Sequence, residues 1–139
     1  MSHPRCAESP SPELIKGIRE FNRREYFQCH ETLEAIWLVE PDPFRQFYQG
    51  ILQVGVGFLH LLRNNYLGAV ELLERGVRRL QPFSPRCMGV EIESLIKDAN
   101  RCREALMALG EKRIGEFDRG MLPQIALSNN IESGLSEPR

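Results

Sequence analysis

The chain has 139 residues, of which 42% are apolar and 27% are charged, and its formal net charge is -1. This length suits one domain with a hydrophobic core of its own. A net charge so close to zero gives no general attraction to nucleic acid or to acidic membranes. The sequence therefore predicts a soluble globular domain, and neither nucleic acid nor a membrane is expected as its partner.

The N-terminal residues and the apolar stretches predict a cytoplasmic location. Residues 1–13 are polar and proline-rich, without the apolar segment of a secretory signal. The longest apolar stretch, residues 51–62, is shorter than the roughly 20 residues that a spanning helix needs.

The four cysteines contain no C-x-x-C pair, so a zinc site made of cysteines has no support. In a cytoplasm we expect these thiols to stay reduced.

Apolar residues recur at helical spacing in five segments, and no alternating strand pattern of useful length occurs. Ser11 and Pro12 mark a helix start, while Pro41 and Pro43 end the second helix. The predicted helices cover about residues 11–23, 25–39, 44–63, 66–80 and 90–109. We expect an all-α bundle of about five helices over residues 11–120. Residues 1–10 are predicted to be a disordered lead-in, and residues 121–139 an extended or disordered tail.

The third predicted helix is apolar nearly all round, which is typical of a central, buried helix. Gly50, Gly55 and Gly57 weaken it, each by about 1 kcal/mol relative to alanine. Such glycines allow a neighbouring helix to approach closely. That neighbour can lie within the chain or in a second copy, so a homo-oligomer formed by helix packing is possible.

One face of this apolar helix carries a row of four polar residues. Arg45, Gln49, Gln53 and His60 are separated by four, four and seven residues, which places them on the same face. A buried polar group without a partner costs about 1–3 kcal/mol, so the row must be matched by a neighbouring element.

The second predicted helix is the natural match for this row. It carries His30, Glu31 and Glu34, and a short connection bounded by prolines makes the two helices antiparallel neighbours. We expect Glu31 or Glu34 to pair with Arg45 or to accept from a glutamine amide. Trp37 and the nearby aromatic residues are expected to pack around this polar cluster.

Two readings of the cluster remain open. The first is a buried hydrogen-bond and salt-bridge network that fixes the register of the helices, for which arginine and glutamine are well suited. The second is a metal or acid–base site, because two histidines and a carboxylate occur in open zinc and iron sites. His30, Glu34 and His60 would then be the ligands, with Glu31 as a base. H-E-x-x-E at 30–34 is not the zinc motif H-E-x-x-H, and no paired E-x-x-H motif occurs.

Three ordered motifs resemble a known family. They are F-N-R-R-E-Y-F-Q-C-H-E-T-L-E-A-I-W at 21–37, R-Q-F-Y-Q-G-I-L-Q-V-G-V-G-F-L-H at 45–60 and N-N-Y-L-G-A-V-E-L-L at 64–73. This part of the chain is similar to the domain-of-unknown-function family numbered 309, which is a small bacterial and archaeal helical bundle.

The resemblance implies a fold and a set of polar residues more than an activity. The family's polar signature falls on the following positions of this chain: His30, Glu31, Glu34, Trp37, Arg45, Gln49, Gln53 and His60. Gln28 stands where members of the family often have glutamate. The sequence favours a structural or interaction domain, with a metal-dependent or acid–base hydrolase as the alternative. No cofactor is predicted, apart from a divalent metal under that alternative, and whether the protein is an enzyme stays open.

Overall fold

The computed structural model describes residues 3–128, and its helices confirm the predicted all-α bundle. Within these residues the five α-helices are α1 Pro12–Asn22, α2 Tyr26–Val39, α3 Arg45–Leu62, α4 Tyr66–Leu80 and α5 Ile92–Leu109. A two-stranded antiparallel hairpin, β1 Arg86–Cys87 and β2 Val90–Glu91, stands between α4 and α5. Short 3-10 turns cover Pro4–Ala7, Gln81–Phe83, Glu111–Glu116 and Arg119–Met121. Among residues 3–128, no helix combines the length and apolar character that crossing a membrane requires.

Local side-chain chemistry sets the helix ends. The Ser11 hydroxyl accepts a hydrogen bond from the backbone N–H of Leu14, which caps α1 at its predicted start. Asn64 adopts a positive φ of 60° between α3 and α4, a conformation that asparagine tolerates better than most residues. Asn65 then caps α4 by accepting from the backbone N–H of Gly68. These signals explain why the observed helix bounds follow the predicted ones closely.

The glycines of α3 let α4 pack against it at short range. A Cβ atom added at Gly57 would lie 2.9 Å from the side chain of Leu73 and 3.1 Å from its backbone nitrogen. A Cβ at Gly50 would lie 2.7 Å from Leu80, so α3 and α4 run antiparallel. Gly55 differs, because an added Cβ would meet Phe21 of α1 at an ordinary 3.6 Å. Gly50 and Gly57 thus serve packing within the chain, which was one of the two uses predicted for them.

The start of the described chain differs from the predicted disordered lead-in. Pro4–Ala7 form a 3-10 turn, and Cys6 forms a disulfide with Cys87 of β1. The backbone N–H of Met88 donates to the carbonyl of Cys6 at 2.8 Å. Arg5 pairs with Glu40 and lies 4.5 Å above the ring of Phe44. The expectation of reduced thiols is therefore corrected for Cys6 and Cys87, because cysteine spacing alone does not reveal which distant thiols the fold brings together.

The last described residues run extended along the bundle. Asn22, at the end of α1, exchanges two hydrogen bonds with the backbone of Ile125. The backbone N–H of Glu91 donates to the carbonyl of Ala126, and Leu127 forms an antiparallel bridge with Val90. Residues 129–139 of the predicted tail lie outside the described residues.

Candidate binding groove

An open groove of about 280 Å³ runs between α2 and α4, with α3 as its floor. The residues from α2 lie three, four or seven apart, and those from α3 do so except for the neighbours Leu52 and Gln53, so that each of these two sets lies along one helix face. The residues that line the groove are His30, Glu34 and Trp37 of α2, Gln49, Leu52, Gln53 and Val56 of α3, and Leu72 of α4. We refer to this feature as the groove.

Apolar surface forms the floor of the groove and part of its edge. Leu52, Val56 and Leu72 are only partly buried although they lie between packed helices. At the edge, Phe27 of α2 is 46% exposed, and its ring centroid lies 6.4 Å from that of His30. Apolar surface bordered by polar residues is the arrangement that marks binding sites on folded proteins.

Trp37 and Arg45 form a stacked pair at one end of the groove. The Arg45 guanidinium carbon lies 4.6 Å from the centroid of the indole, within cation–π distance. The Nε1–H of Trp37 and the Nε–H of Arg45 are both buried and have no hydrogen-bond partner. Among the described residues, Arg45 forms no ion pair with Glu31 or Glu34, so the expected pairing is replaced by stacking. Two unused donors remain beside an open groove.

His60 belongs to a different structure, the junction of α3 and α4. Asn65 accepts from the backbone N–H of Gly68 through its Oδ1, so its Nδ2 amide faces His60 and donates to Nδ1 at 3.1 Å. This geometry assigns the imidazole proton to Nε2. The backbone N–H of Asn65 also donates to the carbonyl of His60 at 2.8 Å. His60 thus orients the residue that caps α4 and does not line the groove.

The structure does not bring the proposed metal ligands together. His30 and Glu34 line the groove, Glu31 is exposed to solvent, and His60 lies at the α3–α4 junction. Within residues 3–128, no three histidine, cysteine, aspartate or glutamate side chains are placed to hold one metal ion. The ligand set His30, Glu34 and His60 therefore lacks the convergent geometry that zinc or iron binding requires.

A second recess of about 450 Å³ adjoins the groove and shares Gln53 with it. Its described lining consists of Gln53, Arg75, Arg78 and Arg79, and we refer to it as the arginine recess. The Arg79 Nε–H donates to the Oε1 of Gln53 at 3.1 Å, and its Nη1 donates to the Oε1 of Gln46. Arg79 thereby joins α4 to α3.

Sequence reasoning missed the roles of Gln46 and Arg79. The available signal was their spacing, since Gln46 lies seven residues before Gln53 and thus on the same side of α3. Of the eight predicted cluster residues, five line the groove, namely His30, Glu34, Trp37, Gln49 and Gln53. Arg45 does not line the groove but stacks on Trp37, which does. Glu31 and His60 do not line the groove.

The fold and the groove define a five-helix bundle with an open, mixed apolar and polar trough across three of its helices. Residues 14–72 match the family described as "Domain of unknown function (DUF309)". The resemblance that the motifs carry is therefore confirmed over α1, α2, α3 and the first half of α4. The match includes all the groove residues.

The chain is also similar to "Uncharacterized protein YpuF" of Bacillus subtilis (strain 168). The two are 39% identical over 69 residues, which is 48% of this chain and 40% of the relative. The chain thus spans well under two thirds of that relative's length. Neither the family description nor the relative's name states an activity, so function is argued from the groove.

Proposed function

We propose that this protein is a non-catalytic interaction module whose groove binds an apolar segment of a partner polypeptide. The main observation behind this proposal is that the buried N–H groups of Trp37 and Arg45 have no hydrogen-bond partner, and that they lie beside an open groove with an apolar floor. A shift of the stacked Trp37 and Arg45 side chains would turn these covered N–H groups towards the groove, where a backbone carbonyl of a bound segment would supply the missing acceptor. Unused buried donors cost free energy in the unbound protein, and binding would recover it.

The size of the groove supports a polypeptide segment as the ligand. Its volume of about 280 Å³ lies just below the roughly 300–1,000 Å³ typical of small-molecule pockets. An open trough of this size accommodates a few side chains of a segment that continues over the surface. Amphipathic helices bind to such grooves through apolar anchors spaced three and four residues apart.

The chemistry of the lining favours binding over catalysis. His30 and Glu34 are the titratable groups among the groove-lining residues. No nucleophile or converging set of hydrogen-bond donors accompanies them there, as acyl transfer or metal-assisted hydrolysis would require. A hydrolase using His30, Glu31, Glu34 and His60 would need all four at one place, and Glu31 and His60 lie elsewhere.

Trp37 is the chain's single tryptophan, so its emission reports directly on the groove. The probe is a blocked two-heptad peptide of leucine, glutamine and alanine, with leucines three and four residues apart. We expect a saturable change in Trp37 emission on adding this peptide. Val56→Asp, which places a charge on the apolar floor, should weaken binding by about 10-fold or more.

Leu67→Asp is the matched control. Leu67 is an α4 leucine that is 63% exposed and does not line the groove. Its substitution should leave the affinity unchanged. An unchanged affinity of the Val56→Asp protein, or the absence of any saturable binding to the wild type, would refute the proposed function.

We also propose a cytoplasmic location, as the sequence predicts. The free cysteines Cys29 and Cys102 are both buried and fit such a location. The Cys6–Cys87 disulfide supplies the test, because disulfides are rare in a reducing cytoplasm. Trapping of thiols in intact cells should find a large reduced fraction of Cys6 and Cys87 there, although the structure shows the oxidised pair. Complete oxidation in the cell would instead place the protein in an oxidising compartment.

A further inference from the structure

We propose that the arginine recess is a carboxylate-binding subsite, so that the partner segment in the groove carries an acidic residue next to its apolar anchors. This inference rests on the proposed function, since it names the partner's chemistry at one end of the same binding surface. It is carried by the geometry of Arg79, by the uncompensated charge of Arg75 and by the continuity of the two recesses.

The Arg79 guanidinium is held in place by neutral groups. Its two described acceptors are the side-chain carbonyl oxygens of Gln46 and Gln53, one helix away on α3. Carbonyl oxygens orient a guanidinium without neutralising its charge. Arg79 is also only partly exposed, so part of the ordering and desolvation cost of binding an anion is already met in the free protein.

Arg75 adds a second uncompensated charge to the recess. Among residues 3–128, Arg75 forms no ion pair, whereas Arg78 is paired with Glu74 at 2.7 Å. Arg75 and Arg79 are four residues apart on α4, so their side chains project from the same side of the helix. Guanidinium groups bind carboxylates with two parallel hydrogen bonds, which gives this subsite its chemical preference.

The local charge fits one carboxylate better than a nucleic acid. Three arginines stand at 75, 78 and 79, and two glutamates, Glu71 and Glu74, stand beside them on the same helix. The net charge of these five side chains is +1, although Arg75 and Arg79 form no ion pair within the described residues, and it matches a single carboxylate held between the two guanidinium groups. The whole chain has a formal net charge of -1, whereas proteins that follow a phosphate backbone gather many uncompensated cations.

Gln53 makes the two recesses one surface. Its side chain lines both, and its Oε1 accepts from Arg79. A segment with leucines over Leu52 and Val56 therefore reaches the arginine recess within about one helical turn. The opposite wall of the groove carries Glu34, so the surface has a positive side and a negative side that would fix the orientation of an acidic segment.

The test compares two probes that differ only in charge. One is the leucine, glutamine and alanine peptide described above, and the other is the same peptide with glutamate at each glutamine position. We expect the glutamate peptide to bind the wild-type protein about 10-fold more tightly at low salt, as one charge-assisted contact allows. This preference should disappear in Arg79→Gln and in Arg75→Gln, and it should weaken as salt concentration rises.

Arg75→Gln keeps the test valid if Arg79→Gln disturbs the α3–α4 contact, because the structure gives Arg75 no ion pair within the described residues. Arg101→Gln is the control, since Arg101 is 65% exposed on α5 and pairs with Asp98. It should retain the full preference for glutamate. Equal affinity for the two peptides would overturn the carboxylate subsite while leaving the groove's function intact.

Loss of binding of both peptides in Val56→Asp, with the glutamate preference present in the wild type, would support both proposals together. A single-stranded oligonucleotide is the remaining probe. Binding of this oligonucleotide more tightly than the glutamate peptide, through Arg75 and Arg79, would overturn the carboxylate assignment in favour of phosphate.

Discussion

Trp37 and Arg45 show that a polar row can be accommodated in a bundle without the ion pairs that its residue types suggest. Arginine beside glutamates predicts a bidentate salt bridge, but the structure places the guanidinium carbon over the indole, 4.6 Å from its centroid. The stacked pair thus closes one end of the groove while leaving two donors unused.

Arg45→Ala should lower the free energy of unfolding by about 0.5–2 kcal/mol, because it removes a partly desolvated cation–π contact. It should also shift Trp37 emission to longer wavelength as water reaches the indole. Urea unfolding followed by fluorescence measures both effects. Arg101→Ala is the control and should change neither quantity. An unshifted emission spectrum in Arg45→Ala would contradict the stacked arrangement.

The two free cysteines should be inert in the folded protein. Burial raises the pKa of the Cys29 thiol to about 12 and that of Cys102 to about 11. Since the thiolate is the reactive form, we expect no rapid reaction with a disulfide reagent at pH 8. Unfolding without a reductant should expose two reactive thiols, and unfolding after reduction should expose four. A fast-reacting thiol in the native state would contradict this burial.

Some of the site was predictable at this scale, and some was not. His30, Glu34, Gln49 and Gln53 meet because helical spacing and an antiparallel turn, both visible in the sequence, place them together. His60 continues the same row, but its side chain is hydrogen-bonded to Asn65 at the N-terminus of α4. Spacing identifies the face of a helix that a residue occupies, and it does not identify which neighbour covers that face.

At the scale of elements, two of the three buried glycines of α3 have opposite expected responses to a methyl group. An alanine Cβ at Gly57 would lie 2.9 Å from Leu73 and 3.1 Å from its backbone nitrogen, so α4 would have to move. At Gly55 the nearest side-chain atom is 3.6 Å away, which is ordinary contact. The two positions are two residues apart on the same helix, so each is a control for the other.

Gly57→Ala should therefore destabilise the protein by about 1–3 kcal/mol, because overpacking outweighs the gain in helix propensity. Gly55→Ala should instead stabilise it by up to about 1 kcal/mol, because only the propensity gain remains. Thermal unfolding monitored by circular dichroism compares the two variants directly. If both substitutions stabilised the protein, the close α3–α4 contact would be refuted.

The five helices were predictable because strong signals bound them. Ser11 and Pro12 start α1, and asparagines separate α3 from α4. The hairpin of β1 and β2 was not predicted, since strands of two residues are too short to show an alternating pattern. Its position depends instead on distant partners, such as Cys6 and the extended residues near Leu127.

At the scale of the whole molecule, the burial of weak acids makes the free energy of unfolding depend on pH. Folding raises the pKa values of Cys29, Cys102 and Tyr26, because a buried site disfavours their charged forms. The unfolded chain loses these protons from about pH 9 upward, while the folded protein still holds them. The stabilisation is thus complete below pH 9 and declines as pH rises towards the raised values.

The free energy of unfolding should accordingly fall above pH 9, by about 1.4 kcal/mol per pH unit for each buried group that retains its proton. Urea titrations between pH 8 and pH 10.5 measure this slope. Cys29→Ala removes one such group, so its slope should be shallower, whatever its stability at pH 8. Equal slopes for the variant and the wild type would contradict the burial of that thiol.

The Cys6–Cys87 disulfide turns most of the bundle into a closed loop of backbone that contains α1 to α4 and leaves α5 outside it. A protease that nicks the chain once inside this loop, for example at the exposed turn 63–65, releases nothing. The product would run as one band on a non-reducing gel and as two after reduction. All three helices of the groove would stay tethered to one another through such a cut. Wherever the disulfide is formed, the groove can therefore survive a single backbone cut that would separate its helices in a bundle without the disulfide.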